Sequence, residues 1–142
     1  MSERMEKAVA YHHNKFNCSQ AVVCTFADKL DIPEKDLFRM AEAFGFGMGA
    51  MGTCGAVTAM ALVIGLSESD GNMEAPRTKK NCYRAMKRLT RAFEEKNGTV
   101  ICSQLKGKDT GIVIRSCDGC IEDAMELLEG YFSDKEAAKQ QT

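Results

Sequence analysis

Apolar residues recur along most of this chain at the spacing of one face of an α-helix. Near the C-terminus, Ile121, Met125, Leu128 and Phe132 follow one another at intervals of three or four residues. The same periodicity predicts helices over about residues 2–14, 18–30, 34–44, 56–66, 75–96 and 117–134. The only strand-like run, residues 111–115, is short. We therefore predict an all-α fold, a compact single-domain bundle of about five to six helices spanning residues 1–142.

Glycine and proline mark the breaks between these segments. Pro33 ends the second helix, because proline disfavours helical geometry in the residue before it. Residues 45–55, GFGMGAMGTCG, are too rich in glycine for a helix and predict a loop before a central buried helix. A polar tail, residues 136–142, is expected to fray.

The glycine-rich loop contains a G-x-G-x-x-G spacing, but a predicted helix precedes it. A dinucleotide-binding loop of this kind follows a strand, so we do not expect a nucleotide site. The backbone N–H groups of such a loop can instead hold an anion or a sulfide. We consider Gly52 and Gly55 the candidate cofactor-binding residues of this loop.

Composition narrows the functional classes. The chain has 19 basic and 20 acidic residues, a balance that does not favour nucleic-acid binding. Its most apolar run, residues 54–66, is too short to cross a bilayer, which needs about 20 residues, so we expect no membrane insertion. No secretory signal pattern opens the chain. We expect a soluble, cytoplasmic, bacterial-type domain, in a compartment where thiols stay reduced.

Seven cysteines are the most informative feature of the composition. Three of them each follow a residue type that commonly caps a helix N-terminus: Asn17-Cys18, Thr53-Cys54 and Ser116-Cys117. The unpaired N–H groups and the dipole of a helix N-terminus stabilise a thiolate, which is the reactive and metal-binding form of cysteine. We therefore expect these three cysteines to be functional.

The other cysteines differ in their sequence context. Cys120 completes a C-x-x-C pair with Cys117, which places two sulfurs on one face of a helix start. Cys102 lies in a Cys-Ser-Gln sequence that repeats the order found at Cys18. Cys24 and Cys82 lie in the middle of predicted helices and are interpreted as small core residues. His12 and His13, the only histidines, are interpreted as structural.

These motifs resemble those of the C_GCAxxG_C_C family of small redox-active proteins. The matching residues are Cys18 in FNCSQAV, Cys54 in CGAVTA, Cys102 in VICSQL, and Cys117. Ala59 stands where the family motif ends in glycine. The resemblance spans roughly residues 10–130 and implies a redox role without a defined reaction. A related module is similar to part of certain multihaem cytochromes that is associated with an iron–sulfur centre.

Three hypotheses follow. In the first, thiols perform thiol–disulfide or electron-transfer chemistry with an unidentified redox partner; the candidate catalytic residues are Cys18, Cys54, Cys102, Cys117 and Cys120. In the second, an iron–sulfur cluster or zinc is bound by four thiolates; the candidate ligands are Cys18, Cys54, Cys102 and Cys117. In the third, the thiols are inert and the protein is structural. The sequence leaves the oligomeric state open.

Overall fold

Helices form nearly all the regular structure of residues 1–140, the part of the chain that the computed structural model describes. They are α1 (Glu3–His13), α2 (Cys18–Val23), α3 (Ala27–Leu30), α4 (Glu34–Ala41), α5 (Gly55–Glu68), α6 (Lys79–Asn97), α7 (Cys102–Lys106) and α8 (Cys117–Gln140). The described residues contain no sheet, which confirms the predicted all-α class.

Helix α5 lies at the centre of the fold, as predicted, and packs against α2, α6 and α8. Ala56, Ala59, Met60 and Val63 are almost fully buried along it. The small residues let neighbouring helices approach closely, and the larger ones each contribute about 1.5–3 kcal/mol through burial. At the start of α5, a Cβ on Gly55 would lie 3.3 Å from the Cβ of Cys18. Close packing of α5 on α2 therefore depends on a small residue there.

The structure divides the predicted helix over residues 18–30 into α2, a 3-10 turn (Cys24–Phe26) and α3. The hydroxyl of Thr25 donates to the carbonyl of Val22 at 2.7 Å, a side-chain bond that competes with regular helical geometry. Asp31, with φ +52°, then ends α3 in the left-handed conformation. This division and the short helix α7 raise the helix count above the predicted five to six.

The start of α6 and the end of α8 also differ from the prediction. Helix α6 begins at Lys79, later than the predicted residue 75, after a turn in which the side chain of Asn72 accepts from the N–H of Ala75. Helix α8 continues to Gln140, so residues 136–140 are helical where fraying was expected. Glu, Ala, Lys and Gln all favour helices, which accounts for the extension. Residues 141–142 lie outside the described part.

A short backbone pairing connects the glycine-rich loop to the start of α7. Thr53 and Ile101 form an isolated antiparallel bridge, the N–H of Cys54 donates to Val100 at 2.7 Å, and the N–H of Cys102 donates to Gly52 at 2.6 Å. The strand-like residues 111–115 form no strand. The bridge instead holds two cysteine-bearing segments side by side.

None of the helices within residues 1–140 combines the length and the apolar character that crossing a membrane requires.

Candidate functional site

A pocket of about 190 Å³ is lined by five of the seven cysteines. They are Cys18, Cys54, Cys102, Cys117 and Cys120. These are the five candidate catalytic residues predicted from the sequence, and the fold brings them to one place. Cys24 lies in the hydrophobic core and Cys82 packs against it, both outside the pocket lining. The arrangement assembles thiols from α2, α7, α8 and the residue that precedes α5.

The N-terminus of α2 positions Cys18. Asn17 caps this helix: its side chain accepts from the N–H of Gln20 at 2.8 Å, and the Gln20 side chain accepts from the N–H of Asn17 at 3.0 Å. This reciprocal pair is a capping box, and it confirms the predicted cap at Asn17. Cys18 is therefore the first residue of a fixed helix and its side chain enters the pocket.

The N-terminus of α5 positions Cys54. Thr53 was predicted to cap this helix, but the structure shows no such cap. Cys54 itself is the N-cap residue, with φ −50° and ψ 134°, and α5 begins at Gly55. A hydrogen bond from the Cys120 thiol lowers the pKa of Cys54 to about 7, and the backbone N–H groups of Ala56 and Val57 contribute to the shift. The unpaired N–H groups at the start of α5 thus favour the thiolate form of Cys54.

The N-terminus of α8 positions both Cys117 and Cys120. The hydroxyl of Ser116 accepts from the N–H of Gly119 at 3.0 Å, so the predicted serine cap is present. Cys120 lies beside Cys54, and the hydrogen bond it donates raises its own pKa well above the ordinary range. The C-x-x-C pair therefore faces two different partners, because Cys117 lies beside Cys18.

The second pair, Cys18 and Cys117, shows the same asymmetry. A hydrogen bond from the Cys18 thiol lowers the pKa of Cys117 to about 6, and the charges of Lys106 and His12 act in the same direction. Because Cys18 donates this hydrogen bond, its own pKa is raised. Burial raises the pKa of Cys102, which has no such thiol partner. The five sulfurs are thus arranged as two adjacent pairs and one separate thiol.

Four charged or titratable residues around the pairs were not among the candidate site residues. His12, Lys106 and Arg115 line the pocket. The carboxylate atom Oδ1 of Asp118 lies 2.7 Å from Nδ1 of His12. The position of His12 a few residues before Cys18 was visible in the sequence. Its contact with α8 was not, because residues 12 and 118 meet only through the packing of α1 on α8.

The two candidate glycines have different surroundings. Gly55 lines the pocket. Gly52 does not line it, and its N–H donates to the carbonyl of Gly47 at 2.9 Å. That N–H is therefore engaged within the loop, so the expected anion-holding role of Gly52 has no free donor. Gly47 takes a place in the pocket lining instead.

The donor types in the pocket suit a soft metal or a cluster, because thiolate and imidazole are preferred ligands of zinc and iron–sulfur centres. Within residues 1–140, one group has its ligand atoms within 4.8 Å of one another: His12, Cys18 and Cys117. Cys54 and Cys102, the other two predicted ligands, line the same pocket outside this group.

Comparison with known proteins gives one family. A family model described as "Putative redox-active protein (C_GCAxxG_C_C)" matches residues 16–131. Neither the curated proteins nor the solved structures give a significant match to this chain. The matched range includes all five cysteines of the pocket. The chain belongs to the C_GCAxxG_C_C family.

Proposed function

We propose that this protein performs dithiol–disulfide exchange, with Cys54 as the attacking thiolate and Cys120 as the resolving thiol. The observation that carries the proposal is the contact of these two thiols inside the pocket, one from the start of α5 and the other from the first turn of α8. Cys54 has the N-cap position, where backbone N–H groups favour the thiolate. Cys120 is the protonated neighbour that can attack the Cys54 sulfur in the second step.

The exchange proceeds in two substitutions at sulfur. The Cys54 thiolate attacks one sulfur of a substrate disulfide, the S–S bond of the substrate breaks, and one substrate thiolate leaves with the electron pair. Cys120 then loses its proton to solvent and attacks the Cys54 sulfur, which releases the second substrate thiolate. Two electrons pass from Cys54 and Cys120 to the substrate. An external thiol reductant then supplies two electrons that reduce the Cys54–Cys120 disulfide.

Access to Cys54 is through the pocket, since only 5% of this residue is exposed. The pocket volume of about 190 Å³ admits a small disulfide or the cysteine of an extended peptide, rather than a disulfide within a rigid surface. Lys106 on the lining offers positive charge to the thiolate that leaves.

The experiment is to expose the fully reduced protein to glutathione disulfide, quench with acid and map the cysteines by mass spectrometry. We expect an intramolecular Cys54–Cys120 disulfide as the product. In the Cys120→Ser variant, a mixed disulfide with glutathione should accumulate on Cys54, because no resolving thiol remains. The Cys54→Ser variant should lose the reaction.

Cys82→Ser is the matched control, because Cys82 is a half-buried cysteine outside the pocket. It should behave as the parent protein does. Oxidation that maps to Cys18 and Cys117 in the parent, with Cys54 still reduced, contradicts the assignment of Cys54 as the nucleophile.

The second candidate function is a cluster or zinc centre held by Cys18, Cys54, Cys102 and Cys117. The observation that favours it is that all four residues line one pocket. Anaerobic purification, followed by metal analysis and a visible spectrum, tests it. Iron with inorganic sulfide and thiolate-to-iron absorption would support the cluster and one equivalent of zinc would support the zinc centre, whereas a protein free of both metals would contradict this second candidate.

A further inference from the structure

We propose that His12, Cys18 and Cys117 form a three-ligand site for a soft divalent metal ion, with zinc as the expected occupant. The inference does not rest on exchange at Cys54 and Cys120, because it uses a different group of side chains in the pocket. It also differs from the four-thiolate centre, since an imidazole replaces the thiolates of Cys54 and Cys102.

The first argument is geometric. The three residues come from α1, α2 and α8, and their ligand atoms lie within 4.8 Å of one another. In a tetrahedral zinc site, bond lengths of about 2.1–2.3 Å separate neighbouring ligand atoms by about 3.6–3.8 Å. All three side chains are half-buried, so small rotations can close the difference and an ion can enter from the pocket.

The second argument is the contact between Asp118 and His12. The Oδ1 atom of Asp118 lies 2.7 Å from Nδ1 of His12. A proton on Nδ1 satisfies this bond and leaves the lone pair of Nε2 available for a metal. Metal-binding histidines commonly have this carboxylate contact on the other ring nitrogen, where it fixes the ring and raises its basicity. Asp118 thus has the position of a supporting residue.

The third argument is charge. Two thiolates and the Asp118 carboxylate place three negative charges around the site. A divalent ion supplies two positive charges, and the ammonium of Lys106, which interacts with Cys117, supplies the third. Arg115 does not change this balance, because it is paired with Asp123 at 3.1 Å. Partly buried charge is tolerated when charges of the opposite sign balance it.

Three protein ligands leave one coordination position of a tetrahedral ion open, as in catalytic rather than structural zinc sites. The three ligands line the same pocket as Cys54 and Cys120. We expect this fourth position to take water or the thiolate of a bound small molecule.

The test is an anaerobic titration of the reduced protein with Co²⁺, followed by displacement with Zn²⁺. We expect one equivalent of cobalt, with the ligand-field bands of a tetrahedral site and thiolate-to-cobalt charge-transfer absorption. X-ray absorption on the zinc-loaded parent protein should show two sulfur neighbours and one imidazole nitrogen. This measurement needs no variant and therefore does not depend on how well any variant folds.

The variants separate the roles of the side chains. His12→Gln should weaken cobalt binding by about 100-fold or more, and Asp118→Asn by about 10- to 100-fold. His13→Gln is the matched control and should bind as the parent does, because His13 also contacts Asp118 but is not in the ligand group. Circular dichroism establishes that each variant retains its helices.

Cys54→Ser and Cys120→Ser separate this proposal from the proposed function. Both variants should keep the cobalt spectrum while losing disulfide exchange. Octahedral cobalt without charge-transfer bands, or unchanged affinity in His12→Gln, would overturn the metal site. Loss of cobalt binding in Cys54→Ser with retention in His12→Gln would also overturn it, in favour of the four-thiolate centre. Absence of exchange in a protein that binds cobalt as expected contradicts only the proposed function.

Discussion

Gly47 illustrates how a single residue maintains the pocket. Its φ is +58°, and a Cβ built on it would lie 2.4 Å from the backbone nitrogen of Gly52 and 3.0 Å from the Cβ of Cys102. Backbone atoms cannot yield as a flexible side chain can. The residue is therefore restricted to glycine for two reasons, its left-handed backbone and the close approach of the loop to α7.

The first prediction is that Gly47→Ala destabilises the protein by more than Gly49→Ala. Gly49 has φ +73°, but a Cβ there would meet no atom within 4 Å beyond its chain neighbours, so alanine costs only the backbone strain of about 1–2 kcal/mol. Gly47→Ala adds a steric clash, and we expect a loss above about 2 kcal/mol. Urea unfolding of both variants measures the difference, and equal losses would contradict the steric argument.

Single residues also show where sequence reasoning succeeded and failed. The cap at Asn17 was predictable, because the capping interaction is local. The cap at Thr53 was wrong, because the backbone pairing of residues 53–54 with Val100 and Ile101 keeps Cys54 non-helical, and the helix therefore starts at Gly55. Ile101 is distant in sequence, so no local pattern around Thr53 contained this information.

At the scale of elements, the start of α2 is held to α4 as well as capped. The Nδ2 atom of Asn17 donates to the carbonyl of Glu42 at 2.9 Å, and Nε2 of Gln20 donates to the carbonyl of Phe38 at 3.1 Å. The same two side chains thus complete the N-terminus of α2 and connect it to the end of α4. This double connection fixes the helix that presents Cys18.

The second prediction concerns this connection. Asn17→Ala should lower the free energy of unfolding by about 2 kcal/mol, since it removes both the cap and the bond to Glu42. Asn17→Ser should recover about half of the loss. Serine caps a helix, but its side chain is too short to donate the hydrogen bond that the Asn17 amide gives to the carbonyl of Glu42. Ser2→Ala, at the exposed cap of α1, is the control and should cost about 0.5–1 kcal/mol.

Thermal and urea unfolding measure these three variants. If Asn17→Ser is as unstable as Asn17→Ala, the cap contributes nothing and the contact with α4 accounts for the whole effect. The reverse result, full recovery by serine, would assign the whole effect to the cap.

At the scale of the whole molecule, Asp123 joins α8 to α6 and to the segment before α8. Its buried carboxylate accepts from Arg115 at 3.1 Å, from Asn97 at 3.1 Å and from Lys96. Burial acts to raise the pKa of Asp123, but these hydrogen bonds outweigh it and the pKa is lowered. The network thus fixes the approach of α8, and with it Cys117 and Cys120, to the rest of the bundle.

The third prediction is that Asp123→Asn lowers the stability at neutral pH by about 1–3 kcal/mol. This loss of stability is smaller than the loss on breaking a fully buried ion pair, because Arg115 and Lys96 remain partly in solvent. Because the pKa is lower in the folded state, the stabilisation is complete above the unfolded value of about 3.9 and is lost as pH falls through the folded value. The difference between parent and variant should therefore shrink below about pH 3.9.

Urea unfolding of parent and variant across this pH range provides the measurement. Glu122→Gln is the control, since Glu122 contacts the same arginine at 3.7 Å but is partly exposed. Its effect should be below about 1 kcal/mol at any pH. A stability difference for Asp123→Asn that stays constant with pH would contradict the linkage to this carboxylate.

The sequence by itself determined the main helical segments, the glycine-rich break and two of the three caps at cysteine-bearing helix starts, because periodicity and capping act between residues that are neighbours along the chain. Tertiary structure alone decided that Cys54 lies beside Cys120, that Cys18 lies beside Cys117, and that His12 and Asp118 join the second pair. Those contacts depend on how α1, α2, α5 and α8 pack, and packing is set by the shapes of whole helix faces rather than by any local motif.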